Sequence, residues 1–198
     1  MPRKTKNKPA SKAAARKKPA GNILVEKKPE KNGDISFNLY IILAVAIVLG
    51  ALFLRSYKIG TLPPGVYPDE AVNGVDAITA NASHNWQWFY TNNNGREGLF
   101  MNLIALGFSL FGISVITLKM WSVLFGTLTV LGMILLGEEL LASRRAGLIA
   151  GFLTATSFWA INFSRIGFRA IMLPFVLVFT IFFLIRGIQK KKIVDYVL

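Results

Sequence analysis

From Phe37 to Leu54 the chain runs 18 residues without a charge, FNLYIILAVAIVLGALFL, and then meets Arg55. A helix of that length rises about 27 Å, close to the roughly 30 Å of a hydrocarbon core, so 37–54 is expected to be a first membrane span. Residues 55–97 turn polar and aromatic, with Pro63, Pro64, Gly65 and Pro68 and an asparagine cluster at 92–94. These turn formers predict a loop with some structure of its own. From Gly98 to Gly137 the only charge is Lys119. The first part of that stretch, 98–111, has the length of an interfacial segment rather than of a span, which leaves 119–137 as the second crossing. A third is expected at 146–162 and a fourth at 171–185, where Pro174 falls in a first turn that does not need its missing N–H. The pattern predicts an all-α integral membrane protein of about four spans, with a juxtamembrane helix at 98–111 and a basic tail at 1–36.

Charge decides the orientation. Arg144, Arg145, Arg186, Lys190, Lys191 and Lys192 are the expected cytoplasmic markers. With 98–111 on the outer interface, the tail, the Arg144 loop and the C-terminal lysines all fall inside, as the positive-inside bias requires. Two full crossings between 98 and 137 would put them outside. The N-terminus is therefore expected in the cytoplasm, the protein in the plasma (inner) membrane, and the 55–97 loop on the other side.

Composition supports lipid as the solvent: 53% of the 198 residues are hydrophobic, 15 are Phe, and the mean hydropathy is +0.47. The net charge of +13 does not point to nucleic acid, because residues 1–36 hold 11 basic and 3 acidic residues and so carry +8 of it. That tail has no apolar period and is expected to be disordered, its lysines near anionic lipid contributing on the order of 1 kcal/mol each. Nothing in it shows the aromatic interleaving of a single-strand binder. No cysteine is present, which removes disulfides and thiolate metal sites. The first apolar run begins too late for a cleaved signal peptide, so it is expected to remain as an anchor.

The chemistry-bearing residues gather in the 55–97 loop, which holds Asp69, Glu70, Asp76 and Glu97 beside Arg55, Lys58 and Arg96. Asp69 and Glu70 directly follow Pro68 in PPGVYPDEAVNG, a pattern that also starts a helix with carboxylates in its favourable first turn. His84, the single histidine, lacks neighbours at metal-ligand spacing and reads as a solvated surface residue. Trp86, Trp88, Phe89 and Tyr90 read first as an interfacial aromatic belt and second as a platform for a ligand. On the expected topology Arg165 and Arg169 lie on the outer side, against the usual bias, which points to an anionic partner for one of them. Lys119 is equally placed to snorkel from a span end to water.

The order of a cytoplasmic N-terminus, a first span, a large outer loop opening on an Asp-Glu pair, and an apolar juxtamembrane helix begun by REGLF resembles the C-type glycosyltransferase superfamily. Within it the chain is similar to the protein O-mannosyltransferase and aminoarabinose-transferase-like branch. The resemblance runs from TLPPGVYPDEAVNGVDA through NGREGLFMNLIALGFSLFGISVITLKMWSVLFGTLTVLGMILLG to SRIGFRAIMLPFVLVF and covers about residues 40–190. It implies an inverting transferase that takes a sugar from a polyprenyl-phosphate donor and passes it to a hydroxyl of a protein, glycan or lipid acceptor. Asp69 would then be the general base. Glu70 would orient it or hold a divalent cation, Mg or Mn. Arg96, Lys119, Arg165 and Arg169 would face the leaving phosphate, and Glu97 would cap the juxtamembrane helix or frame the sugar. Two departures stand out: Ala170–Pro174 lacks the acid often found there, and Arg96-Glu97 replaces a His-Pro-Pro or Lys-Pro-Pro sequence. Relatives have roughly twice the spans or more, so a fragment or truncated product is expected. The competing class is a non-catalytic polytopic subunit, transporter-like or for assembly, whose support would be intramembrane polar pairs or small-xxx-small faces used for packing.

Overall fold

The computed structural model describes residues 35–92 and 94–190. Apart from Ile35 and Ser36, the basic tail expected at 1–36 lies outside them, as do Lys191 and Lys192. Seven helices follow in chain order: α1 (Phe37–Ser56), α2 (Pro68–Ala82), α3 (Leu99–Phe111), α4 (Val115–Leu141), α5 (Arg144–Thr156), α6 (Phe158–Ser164) and α7 (Met172–Lys190). A two-stranded antiparallel hairpin, β1 (Phe89–Tyr90) with β2 (Arg96–Glu97), pairs Phe89 with Glu97 and Tyr90 with Arg96. The chain is thus mostly helical, as expected, with one short ribbon added.

Three helical segments are long and apolar enough to cross a membrane, 37–56, 115–141 and 169–189, and a fourth candidate is the bent pair α5–α6 taken together. The side chains of Phe37, Ile42, Leu49 and Phe53 stand open on α1, the pattern of a helix whose surroundings are apolar on every side. Helix α4 is the centre of the bundle and packs against α1, α3, α5, α6 and α7. Its ends are set by local chemistry rather than by the limits of the apolar run. The Ser114 hydroxyl accepts from Thr117 N–H at its start, and Ala142 adopts a left-handed conformation at its end. The helix therefore extends beyond the expected 119–137 at both ends.

The segment expected as an unbroken third crossing, 146–162, is instead a bent pair of helices, the shape of a broken span or of a re-entrant loop. It breaks at Ser157, where α5 and α6 meet at 61°. The break has two local supports: the Ser157 side chain accepts from Ala160 N–H and so starts a new helix, and Arg55 reaches in from α1 to the freed carbonyls of Thr154 (3.2 Å) and Ala155 (3.1 Å). Close packing of α5 on α4 depends on glycines four residues apart. A Cβ at Gly151 would fall 2.1 Å from Ile134 Cγ1, and one at Gly147 2.5 Å from the Ile134 carbonyl oxygen, so the two helices touch backbone to side chain in the small-xxx-small manner.

The 55–97 segment is more ordered than a loop. Helix α2 occupies 15 of its residues and packs on α3, with Ala77, Ala80, Phe100, Met101, Ile104 and Leu118 forming the core between α2, α3 and α4. The apolar α3, with 13 residues, is shorter than the spanning helices. It lies at the same end of the bundle as α2, the C-terminus of α1 and the turn 165–171.

Candidate functional site

Tyr67 precedes α2 and Pro68 opens it, so the chain enters the helix with φ already set. The Glu70 carboxylate then turns back to accept from Tyr67 N–H (3.2 Å), which closes the first turn. Adjacent residues on a helix point about 100° apart, and the Asp-Glu pair separates accordingly. Glu70 is 1% exposed and faces inward; Asp69 is half-buried.

Glu70 is the first of three inward polar residues at a spacing of three. Its Oε1 accepts from Gly167 N–H (2.8 Å) and lies 3.8 Å from Lys119 Nζ. Asn73, one turn on, donates to the Gly167 carbonyl (2.8 Å). Gly167 is thereby held at both its N–H and its C=O, and a Cβ there would stand 3.0 Å from Glu70 Cγ and Oε1. Asp76, a further turn on, is ion-paired to Arg96 Nη2 and accepts from Asn92 Nδ2 (2.7 Å), while Arg96 Nη1 donates to Asn73 Oδ1. One face of α2 thus ties together the hairpin, the N-terminal part of α4 and the turn after α6.

The four candidate cations have different fates. Arg96 is buried and engaged by Asp76, Asn73 and the Asn92 carbonyl. Arg165 donates to four backbone carbonyls, those of Leu54 (2.8 Å), Arg55 (3.2 Å), Tyr57 (2.6 Å) and Leu62 (2.9 Å), and so caps the end of α1. Lys119 does not snorkel: it is wholly buried, and its ammonium makes no hydrogen bond among the described residues beyond its ion pair with Glu70. The cause is position, since α2 and the turn at Gly167 close over the N-terminal part of α4. Arg169 is the reachable one, one-third exposed and paired with the open carboxylate of Glu97. Glu97 accordingly sits in β2 against Arg169 rather than capping α3, whose N-cap is Gly98.

A divalent cation does not fit at Glu70. Both oxygens already accept backbone N–H groups and an ammonium stands beside one of them, a setting that repels a metal ion. Among the described residues no three His, Asp or Glu side chains come together in a way that holds a metal.

Arg55 is the residue that sequence reasoning missed. As the first charge after an apolar run it reads as a boundary marker, yet it is fully buried, with donors on Ala51 O, Thr154 O, Ala155 O and Ser164 Oγ. The Glu70-Asn73-Asp76 stripe was legible in principle from its helical spacing. Beside this end of the bundle, α4, α5, α6 and α7 enclose an apolar cleft of about 520 Å³, lined among others by Ser157, Trp159, Phe163, Ala170, Ile171 and Pro174. Comparison of the chain with protein-family models, with curated proteins and with solved structures finds no match in any of the three.

Proposed function

We propose that the chain acts as a membrane glycosyltransferase that moves a sugar from a polyprenyl-phosphate donor to an acceptor hydroxyl on the non-cytoplasmic side of the plasma membrane. The observation that carries this reading is the division of the Asp-Glu pair. Glu70 is committed to Gly167 and Lys119, and this bond fixes the helix bearing Asp69 against the turn that bears Arg169. Asp69, about 100° round the helix from Glu70, is half-buried in the first turn of α2 and so is the more accessible of the two carboxylates.

In this reading Asp69 takes the acceptor proton as the hydroxyl oxygen bonds to the anomeric carbon. The bond from that carbon to the phosphate oxygen breaks, and polyprenyl phosphate leaves with the electron pair. Arg169 meets the phosphate, exchanging Glu97 for a stronger anion. The apolar cleft, whose rim includes the next two residues, Ala170 and Ile171, suits the polyprenyl chain. Arg96, Arg165 and Lys119 then act by holding the site together. The alternative of a non-catalytic subunit finds its support elsewhere: Gly147 and Gly151 are spent within the chain against α4, but Ala46 and Gly50 stand four residues apart on the exposed side of α1, a small-residue face on which another helix could pack.

The test is Asp69→Asn in the full chain reconstituted in liposomes, assayed with radiolabelled polyprenyl-phosphate sugars. Loss of a general base lowers transfer by about 10²–10⁴-fold. Unchanged transfer removes Asp69 from that role.

A further inference from the structure

A second cleft lies at the opposite end of α2 from Asp69. Twelve residues separate Asp69 from Asn81, which places the two about 18 Å apart along the helix. The cleft measures about 590 Å³ and is lined by Asn81, His84, Asn85 and Trp86 at the end of α2 and by Ser109 of α3, a size typical of small-ligand sites, which run to roughly 300–1,000 Å³. Its lining is chemically narrow: two carboxamides, an imidazole, a hydroxyl and an indole, with no aliphatic side chain and no lysine, arginine or carboxylate. Such a wall has little to offer an acyl chain or a phosphate. It matches a neutral ligand with many hydroxyls on its edge and apolar C–H groups on its face.

The indole is fixed in advance. Trp86 Nε1 donates to Asn81 Oδ1 (3.1 Å), and Asn81 Nδ2 in turn donates to the Ala105 carbonyl on α3 (2.8 Å). With its N–H satisfied by a side chain that is itself tied to α3, Trp86 presents its remaining surface, the ring, and the residue is 45% exposed. A platform ordered before binding avoids the entropy of ordering it on contact. The hydrogen-bonding groups around it are uncommitted: the His84 imidazole and the Asn85 carboxamide make no hydrogen bond to another described residue. Ser109 Oγ donates to the Ala105 carbonyl (3.0 Å) and keeps its acceptor capacity.

His84 also occupies an unusual backbone position. It follows the last turn of α2 at φ +51°, with Asn85 N–H reaching back to the Ala80 carbonyl (3.1 Å) and His84 N–H to that of Asn81 (3.3 Å). This closing motif is met most cheaply by glycine. Ala142 shows that the chain accepts the conformation elsewhere without glycine, so the strain alone assigns nothing, but it supplies an unusually clean test of what the imidazole does.

We propose that this cleft binds a saccharide, with the Trp86 ring stacked on a pyranose face and His84, Asn85 and Ser109 contacting its hydroxyls. The proposal does not rest on the transferase reading, and its test leaves Asp69 intact. The full chain in nanodiscs free of glycolipid is titrated with maltotriose, mannotriose and chitotriose, followed by tryptophan emission and by saturation-transfer NMR. A saturable response to at least one of them in the millimolar range is expected. Trp86→Ala should weaken it at least tenfold and Trp86→Phe far less. His84→Gly should leave the thermal melting temperature unchanged or raised while weakening binding severalfold, a combination that a merely structural histidine does not produce. Dodecyl maltoside serves as the lipid-linked arm. A response to it alone that Trp86→Ala abolishes assigns the cleft to a glycolipid sugar, and a response that Trp86→Ala leaves intact overturns the proposal. So does the absence of a saturable response in both arms, or equal affinity in wild type and Trp86→Ala.

Discussion

Glu70 and Lys119 illustrate how burial changes the meaning of a charged residue. Each is enclosed by protein at one end of the bundle, and neither side chain reaches solvent. Replacing one member of such a pair leaves the other charge without compensation, which costs about 3–5 kcal/mol, while replacing both with neutral groups of similar shape costs much less. Glu70→Gln should therefore lower stability by about that amount, and Glu70→Gln combined with Lys119→Met should recover most of it. Thermal unfolding in detergent checks both; a single variant as stable as the parent would show that the pair contributes little. Asp69→Asn, one residue earlier and only half-buried, keeps the side chain's shape and should lower the melting temperature far less than Glu70→Gln does while lowering transfer, which separates chemistry from folding at neighbouring positions.

At the scale of elements, two arginines exchange helix ends. Arg55, in the last turn of α1, supplies donors to the carbonyls of Thr154 and Ala155 at the end of α5. Arg165, just after α6, supplies donors to the carbonyls of Leu54, Arg55 and Tyr57 at the end of α1. An unsatisfied backbone group in an apolar medium costs several kcal/mol, so carbonyls freed where a helix breaks among apolar side chains need donors of this kind. Arg55→Met keeps much of the stem and removes the donors. The bend at Ser157 should then relax, seen as a longer and broader distance distribution between spin labels at Ile149 and Asn162, both exposed. An unaltered distribution would assign the bend to Ser157 alone.

For the whole molecule, the path of the chain puts α2, α3, the hairpin and the 165–171 turn at one end and the α4–α5 connection at the other, where Tyr40 donates to Glu138 (2.7 Å) and Arg144 to the Ile35 carbonyl (2.9 Å). Because the protein has no cysteine, single substitutions report sidedness without background. Ser164, the last residue of α6, is wholly buried and would not label, whereas Ala170, in the connection that follows, is exposed. Ser83→Cys and Ala170→Cys should react with an impermeant maleimide added from the non-cytoplasmic side, and Leu141→Cys only from the cytoplasmic side. Labelling of Ser83→Cys from the cytoplasmic side would place Asp69 away from any donor on the outer leaflet and sink the proposed function.

The long apolar runs were legible from the sequence because a helix of spanning length must be apolar along contiguous residues, a one-dimensional requirement that 37–54 and 171–185 display directly. The start of α2 was legible too, since Pro68, Asp69 and Glu70 act within a single turn. The partners of the charges were not. Glu70 meets Gly167 across 97 positions and Arg165 meets Leu54 across 111, and no local pattern encodes which distant carbonyl an arginine will cap. Whether Arg55, Lys119 and Arg165 face water, lipid or protein depends on which helices pack over them. The sequence by itself determined an apolar, helical chain and the place of its acidic turn; tertiary packing decided which of those charges were buried to hold it together and which stayed nearer the surface, because burial depends on partners that lie a hundred positions away.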